Sequence, residues 1–370
     1  MLVGVPKEIK DNEYRVGLVP TAVTELVSHG HEVIVESGAG AGIGLSDESY
    51  LAAGAQIADV DTVFANAELL IKVKEPLADE RKKLHRDQVL FTYLHLAPDV
   101  AQTRDLMASG VTAIAYETVT AANGTLPLLT PMSEVAGRLA PQVGAYCLEK
   151  SQGGLGILLG GVPGVQPAEV VIVGGGVSGS HAAQIATGMG AKVTVFDRSA
   201  EALRRINTQL GTAVQTAFST HDLLAAAIRK ADLLIGAVLV PGGTTPKVVT
   251  REMIASMKSG TVFVDIAIDQ GGCSETSKPT SHSAPTYIVD GVTHYCVTNM
   301  PGAVARTSTF ALNNATLPFV LALAGKGWKR ALSDDQHLRN GLNIHDGKMT
   351  CAPVAEAQDL AYTPAESVLA

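Results

Sequence analysis

The sequence predicts two α/β domains, each a parallel sheet covered by helices, with one domain interrupted by the other. Three observations carry this. Apolar runs alternate with helical stretches from Leu2 to Glu117, and such alternation builds a parallel sheet covered on both faces. A second strand–turn–helix–strand unit, "VVIVGGGVSGSHAAQIATGMGAKVTVFD", begins only at Val170. After Pro301 the alternation stops and helical segments follow, around "TFALNNATLPFVLALAGKGW". A helical tail needs a surface on which to bury its apolar face, and the first domain is the expected host. The expected division is therefore 1–129 plus 304–370 for a discontinuous domain, and 130–303 for the domain inserted in it. A cleft between the two is the expected place for a ligand, and the two crossing segments are expected to hinge.

The elements follow in order. "LVGVP", "HEVIVES", "LLIKVK", "VLFTYLHL" and "VTAIAYE" read as strands of the first sheet. Between the first two lies a helix, "TAVTELVSHG", with Thr21 as N-cap and Gly30 as stop. Thr130 and Pro131 open a longer helix, which Pro141 should kink or split. Ser151 to Ala168 is rich in glycine and holds Pro163 and Pro167, so it reads as a linker rather than a membrane span. Val170 to Val173 is a buried strand. Gly174, Gly176 and Gly179 then form G-x-G-x-x-G. Gly174 permits a tight turn, Gly176 lets backbone approach a pyrophosphate, and Gly179 lets the next helix pack on the strand. "KVTVF" is the next strand, and Asp197 at its end can bond the adenosine ribose hydroxyls. Both domains are thus expected to be Rossmann-like. The charge of Asp197 repels a 2′-phosphate, so NAD is favoured over NADP, although Arg198 could pair with such a phosphate. "DLLIGAVLV", "GTVFVDIAI" and "HYCVTN" supply later strands.

Composition narrows the function classes. Of 370 residues, 46% are hydrophobic and 17% charged, which allows a large core and argues against general disorder. A net charge of −8 with no basic block argues against nucleic acid as partner. Cys147, Cys273, Cys296 and Cys351 are widely spaced, which suits reduced cytoplasmic thiols better than zinc or disulfides. The N-terminus turns charged at Lys7 and does not read as a signal peptide.

In open parallel sheets ligands lie beyond the carboxyl ends of strands, so polar residues just past apolar runs are the candidates. His95, in "LFTYLHLAPD", suits proton transfer near neutral pH; it could equally be a core histidine bonded to backbone. Lys72 and Lys74 share one face of a strand, with Lys74 nearer the carboxyl edge. Lys74 could bind a carboxylate or carbonyl oxygen, or be an exposed edge lysine. Asp269 lies past the run "TVFVDIAI", before Gly271 and Gly272, with Asp265 as a competing acid inside the run. It could hold a water or an amine, or simply close a turn. Arg15 could grip a carboxylate with its guanidinium fork, or be a solvated surface residue. His85, His221 and His282 stand in polar surroundings and read as surface.

Together these pieces resemble the alanine dehydrogenase family and its relative, the NAD-binding subunit of nicotinamide nucleotide transhydrogenase. "GVPKEIKDNEYRVGLVP", the glycine stretch, "KVKEP", "YLHLAPD", "TPMSEVAGR", "DIAIDQGGCSETS" and "VTNMPGAVARTST" carry the resemblance along nearly the whole chain. It implies reversible NAD-dependent oxidation of L-alanine to pyruvate and ammonia, in a homohexamer, and the cysteine usage above gives the cytoplasm as its expected place. It implies that Arg15 and Lys74 bind the substrate, that His95 is the general acid/base and that Asp269 steers water or ammonia. Ser133, Val177, Ser178, Asp197, Ser219, Val238, Leu239, Ile266, Ala267, Asp269, Val297, Asn299 and Met300 are implied around NAD, beside the three glycines. Some members bind a divalent metal near the tail helix. "LALAGKGW" offers no acid or histidine there, so no metal is expected. The rival readings are the transhydrogenase subunit, which needs no amino-acid site, and a non-catalytic NAD-binding module.

Overall fold

The computed structural model describes residues 1–238 and 245–369. The chain divides into two units, residues 1–132 with 304–370 and residues 133–303.

The first unit holds strands β1 (Leu2–Val5), β2 (Glu32–Glu36), β3 (Gln56–Ala58), β4 (Leu69–Ile71), β5 (Val89–Thr92) and β6 (Thr112–Ala115). The second holds β7 (Glu169–Val173), β8 (Lys192–Asp197), β9 (Val214–Phe218), β10 (Leu233–Gly236), β11 (Val262–Asp265), β12 (Thr286–Val289) and β13 (Val292–Tyr295). The tail returns to the first unit with β14 (Leu342–His345) and β15 (Lys348–Met349).

Among the described residues the first sheet runs β15-β14-β6-β5-β4-β1-β2-β3. Strands β1 to β6 are parallel, and β14 joins β6 antiparallel. Every residue of β4, β5 and β6 is buried, as unbroken apolar runs require when helices cover both faces. Leu70, Leu90, Ala113, Ile344 and Met349 share one core cluster, so the tail hairpin completes the core of the N-terminal segment. The strand order turns around between β4 and β1, which makes a switch point at their carboxyl ends.

The second sheet runs β12-β13-β11-β10-β7-β8-β9, parallel except for the edge strand β12. Its switch point lies between β7 and β10. Val171, Val173, Leu234 and Phe263 pack with Met253 and Ile254 in its core. These are the two α/β units with mostly parallel sheets that the sequence predicts.

Several local expectations need correcting. The strand carrying "LLIKVK" ends at Ile71, so Lys72 and Lys74 both lie past it and share no strand face. The first helix is Pro20–Ser28, with Val19 as N-cap; proline at the first helical position displaces Thr21 from the cap. Pro141 does not split its helix, which runs unbroken from Thr130 to Cys147. The tail is not only helical. After a 22-residue helix, Ala305–Lys326, it contributes the β14–β15 hairpin. That hairpin and the half-exposed strands β3, β9 and β12 carry weak signals because short or polar edges lack an apolar run. No described helix is long and apolar enough to cross a membrane. All four cysteines are unpaired and buried.

Candidate functional site

In the first unit, the loops after β1, β4, β5 and β6 gather charged side chains at one end of the sheet. Arg15 is not on the surface: it is 2% exposed. Its Nε and Nη2 donate to the two carboxylate oxygens of Glu13 at 2.7 and 2.5 Å, and Nη1 lies 3.2 Å from Met132 Sδ. Burial works against the charge, but the Glu13 hydrogen bonds and charge outweigh it and push the guanidinium above its ordinary range. Gly17 explains the placement. A Cβ there would collide with the Ile71 carbonyl, so only glycine lets this segment lie on the end of β4. The tail helix pins the same segment: the Val16 and Val19 amides donate to Thr309 Oγ1 at 3.4 Å and Asn313 Oδ1 at 2.9 Å.

Lys72 and Lys74 separate sharply. Lys72 is fully buried, and its Nζ donates to Glu8 Oε2 at 3.1 Å and Glu80 Oε1 at 2.7 Å. Burial opposes its charge, and the two carboxylates together overcome that, raising its pKa. Burial pushes Glu8 above the carboxylate range despite Lys72. Lys74 is half-buried, and its amide donates to Glu8 Oε1 at 3.2 Å.

His95 lies three residues past β5 and is exposed, so it is no core histidine. Its ring stacks on Tyr93, with centroids 5.7 Å apart and planes within 8°. Its backbone is left-handed, with φ 48°. Glu117, which the sequence reading passes over, sits beneath it. Its Oε1 accepts the His95 amide at 2.6 Å and lies 3.9 Å from His95 Nδ1. Arg15, Lys74 and His95 thus come to one end of the sheet, on loops that follow the neighbouring strands β1, β4 and β5.

In the second unit the glycine motif occupies the switch point. Gly174 has φ 106°, and a Cβ on it would meet the Ala237 carbonyl at 2.5 Å. A Cβ on Gly179 would overlap the Gly174 carbonyl, so the helix Val177–Gly188 packs directly on the end of β7. Gly176, the residue before that helix, faces open space. Open backbone at a helix N-terminus suits a pyrophosphate. Asp197 ends β8 and holds the turn: Oδ2 accepts the Gly175 amide at 2.6 Å and Oδ1 the Ser199 amide at 2.7 Å. The Ser219 amide donates to the Asp197 carbonyl at 2.9 Å. The Ser178 hydroxyl donates to the Ser133 carbonyl at 2.9 Å. The glycines, Val177, Ser178, Ser133, Asp197 and Ser219 are therefore neighbours. Arg205, absent from the expected set, donates to the Gly175 carbonyl at 2.9 Å.

Past the next strands, Val238 is half-buried, and Leu239 lies outside the described residues. Asp269 is exposed on the 3-10 turn Ile266–Gln270, which also carries Ile266 and Ala267. The competing acid, Asp265, is buried at the end of β11 and tethers this loop. It accepts the Ala267 amide at 3.0 Å, the Cys273 amide at 2.9 Å and the Ser277 hydroxyl at 2.5 Å. Val297 and Met300 are buried, and Asn299 is left-handed with φ 66°. The Asn299 carbonyl accepts from His282 Nε2 at 3.0 Å, so His282 is half-buried structure rather than plain surface.

Comparison with known proteins identifies the family of the chain. Residues 4–136 match the family model "Alanine dehydrogenase/PNT, N-terminal domain", and residues 140–352 match "Alanine dehydrogenase/PNT, C-terminal domain". An alanine dehydrogenase of Halomonas elongata is 59% identical over 370 residues, covering 100% of both chains. One of Bacillus subtilis is 53% identical, covering 100% of this chain and 98% of its own. A solved L-alanine dehydrogenase superposes with a TM-score of 0.95 at 52% identity, over 98% of this chain and 100% of the other. A solved transhydrogenase from Sinorhizobium meliloti gives a TM-score of 0.83 at 25% identity, over 95% of this chain and 100% of the other. The chain belongs to the alanine dehydrogenase/PNT family.

Proposed function

We propose that this protein is an NAD-dependent L-alanine dehydrogenase. L-alanine, NAD⁺ and water give pyruvate, ammonium, NADH and a proton, and the reaction runs in both directions. The observation that carries the reading is the grouping of Arg15, Lys74 and His95 past adjacent strands β1, β4 and β5. A cofactor-binding module or a hydride-passing subunit has no use for that group. The identities point the same way: 52% to the solved L-alanine dehydrogenase against 25% to the solved transhydrogenase.

Family membership implies a nicotinamide cofactor, and NAD is the form we assign, on the acid at Asp197. Gly174, Gly176, Gly179, Val177, Ser178, Ser133, Asp197, Ser219, Val238, Ile266, Ala267, Asn299 and their neighbours are the residues that would hold it. When bound, the nicotinamide accepts the hydride from the substrate α-carbon. Arg15 grips the substrate carboxylate, and Lys74 holds an adjacent oxygen. His95 takes the proton released as the amine becomes an imine. It then manages the proton transfers as water adds and the carbon–nitrogen bond of the carbinolamine breaks. Asp269 steers the water inward or the ammonia outward. We place the protein in the cytoplasm as a homohexamer, which light scattering of the purified protein tests.

The deciding experiment is spectrophotometric. Purified protein, NAD and L-alanine at alkaline pH should give a rise in NADH absorbance, favoured by high pH because the net reaction releases a proton. No NADH formation with L-alanine, alongside intact NADH binding, would return the assignment to the rivals.

A further inference from the structure

The loops carrying Lys74 and His95 are held by the same device used twice. Past the end of β4, Glu8 Oε1 accepts two consecutive amides, Val73 at 2.6 Å and Lys74 at 3.2 Å. Past the end of β5, Glu117 accepts two consecutive amides, Leu94 at 3.2 Å and His95 at 2.6 Å. In each case the second amide belongs to the residue that faces the substrate in the proposed reaction. In each case the carboxylate comes from the strand next door: Glu8 follows β1, beside β4, and Glu117 follows β6, beside β5.

Both carboxylates are largely withdrawn from water. Glu8 is 6% exposed, and the Glu117 side chain 14%. A carboxylate accepting amide hydrogens at low exposure makes strong bonds and fixes the loop it touches. The need for such a brace is clearest at His95, whose left-handed backbone is unfavourable for a residue with a Cβ. The Glu8 brace is fixed in turn by Lys72, which bonds its other oxygen. Lys72, itself out of reach of solvent, thereby acts on its sequence neighbour Lys74 through Glu8.

We propose that Glu8 and Glu117 are paired positioning residues, Glu8 setting Lys74 and Glu117 setting His95. The proposal rests on the alanine dehydrogenase reading of those two residues. It assigns each carboxylate a different kinetic signature, because Lys74 grips substrate whereas His95 moves protons. Methionine approximates the shape of glutamate without the acceptor oxygens. Glu117→Met should lower kcat by roughly 10- to 100-fold, with KM for pyruvate within about threefold, since small misplacements of a reacting group cost that much. Glu8→Met should raise KM for pyruvate roughly 10-fold, with kcat within about threefold. Glutamine keeps one acceptor oxygen, so Glu117→Gln should recover most of its loss, and Glu8→Gln only part, because its amide nitrogen faces the Lys72 ammonium. NADH affinity, read by fluorescence titration, should stay unchanged throughout.

Wild-type alanine oxidation is measured first; its absence overturns the proposed function itself. With the wild type active, kcat and KM moving together in both Met variants overturns the positioning roles. Variants that only reduce the fraction of folded enzyme, with normal constants per active site, overturn them too. Where a Met variant gives no folded protein, Glu117→Asp and Glu8→Asp carry the test. Their shorter side chains draw the acceptor back, and the same split is expected at smaller amplitude; native kinetics in both overturns the proposal.

Discussion

The two carboxyl-end sites of this molecule are built from different materials. At the glycine loop of the second unit, backbone does the work: Gly174 turns, Gly179 packs, Gly176 stays open, and one acid, Asp197, ties the loop to the next strand. At the strand ends of the first unit, buried charge does the work. Arg15 leans on Glu13, and Lys72 sits between Glu8 and Glu80. Backbone sites are rigid at little electrostatic cost. Sites of buried charge need partners for every ion, since an unpaired buried charge is costly. Mutations should therefore fail differently in the two places. In the first unit single side chains should control rate and stability, and in the second, space and backbone conformation should.

His95→Asn is the largest expected effect. Removing a positioned general acid/base costs roughly 10² to 10⁴ in rate, or about 3 to 5 kcal/mol of barrier. His95 is exposed, so little packing is lost and the fold should survive. Turnover in both directions should collapse, while NADH titration gives the native affinity. Near-native turnover would move the proton carrier to Lys74 or Asp269.

The contrast also explains what could be read from the chain alone. The nucleotide loop is legible because its parts are contiguous: glycines at fixed offsets, a strand before, a helix after and an acid at the next strand's end. Lys74 and His95, proposed to face the substrate, are legible only by type and position past an apolar run. Their supports are not. Glu117 braces His95 from 22 residues away, and Glu8 braces Lys74 from 66 away. Asn313 pins the Arg15 segment from the far end of the chain. Those partners are set by which strands lie side by side, and no local pattern encodes that. Lys72 shows the failure most plainly. Two lysines two residues apart look equivalent on a strand, yet the strand stops before both, and one is buried between two acids.

Lys72→Met tests the charge side of the comparison. It removes the cation and leaves Glu8 and Glu80 facing each other in the core. Breaking a buried pair from one side costs about 3 to 5 kcal/mol, so denaturant unfolding should show a loss of that order. A loss below about 1 kcal/mol would mean that a proton on Glu8 replaces the lysine, a course that its burial already favours.

Gly179→Ala tests the backbone side. The added methyl overlaps the Gly174 carbonyl, and the helix must move to admit it. Overpacking of this kind costs about 1 to 3 kcal/mol, and NADH affinity should fall with stability. Gly176→Ala is the control. Its methyl meets nothing within 4 Å, so thermal unfolding should be unchanged while NADH binding weakens. Unchanged NADH binding in Gly176→Ala would place the pyrophosphate elsewhere.

Asp197→Ala sharpens the comparison most, because Asp197 is where the backbone site relies on a charge. Its two oxygens accept the Gly175 and Ser199 amides, so truncation loosens the loop by about 1 kcal/mol per hydrogen bond. The same truncation removes the charge that disfavours a 2′-phosphate and leaves Arg198, exposed beside it, able to attract one. Loss of the amide bonds weakens NAD and NADP alike, whereas loss of the charge helps NADP alone. The ratio of kcat/KM for NAD over NADP therefore isolates what Asp197 does at the ribose, its charge and its bond to the hydroxyls together. It should fall by roughly 10-fold, the equivalent of about 1.4 kcal/mol. A ratio that stays fixed while both constants drop would make Asp197 a brace for the glycine turn and nothing more, so that the cofactor site would be built from backbone alone.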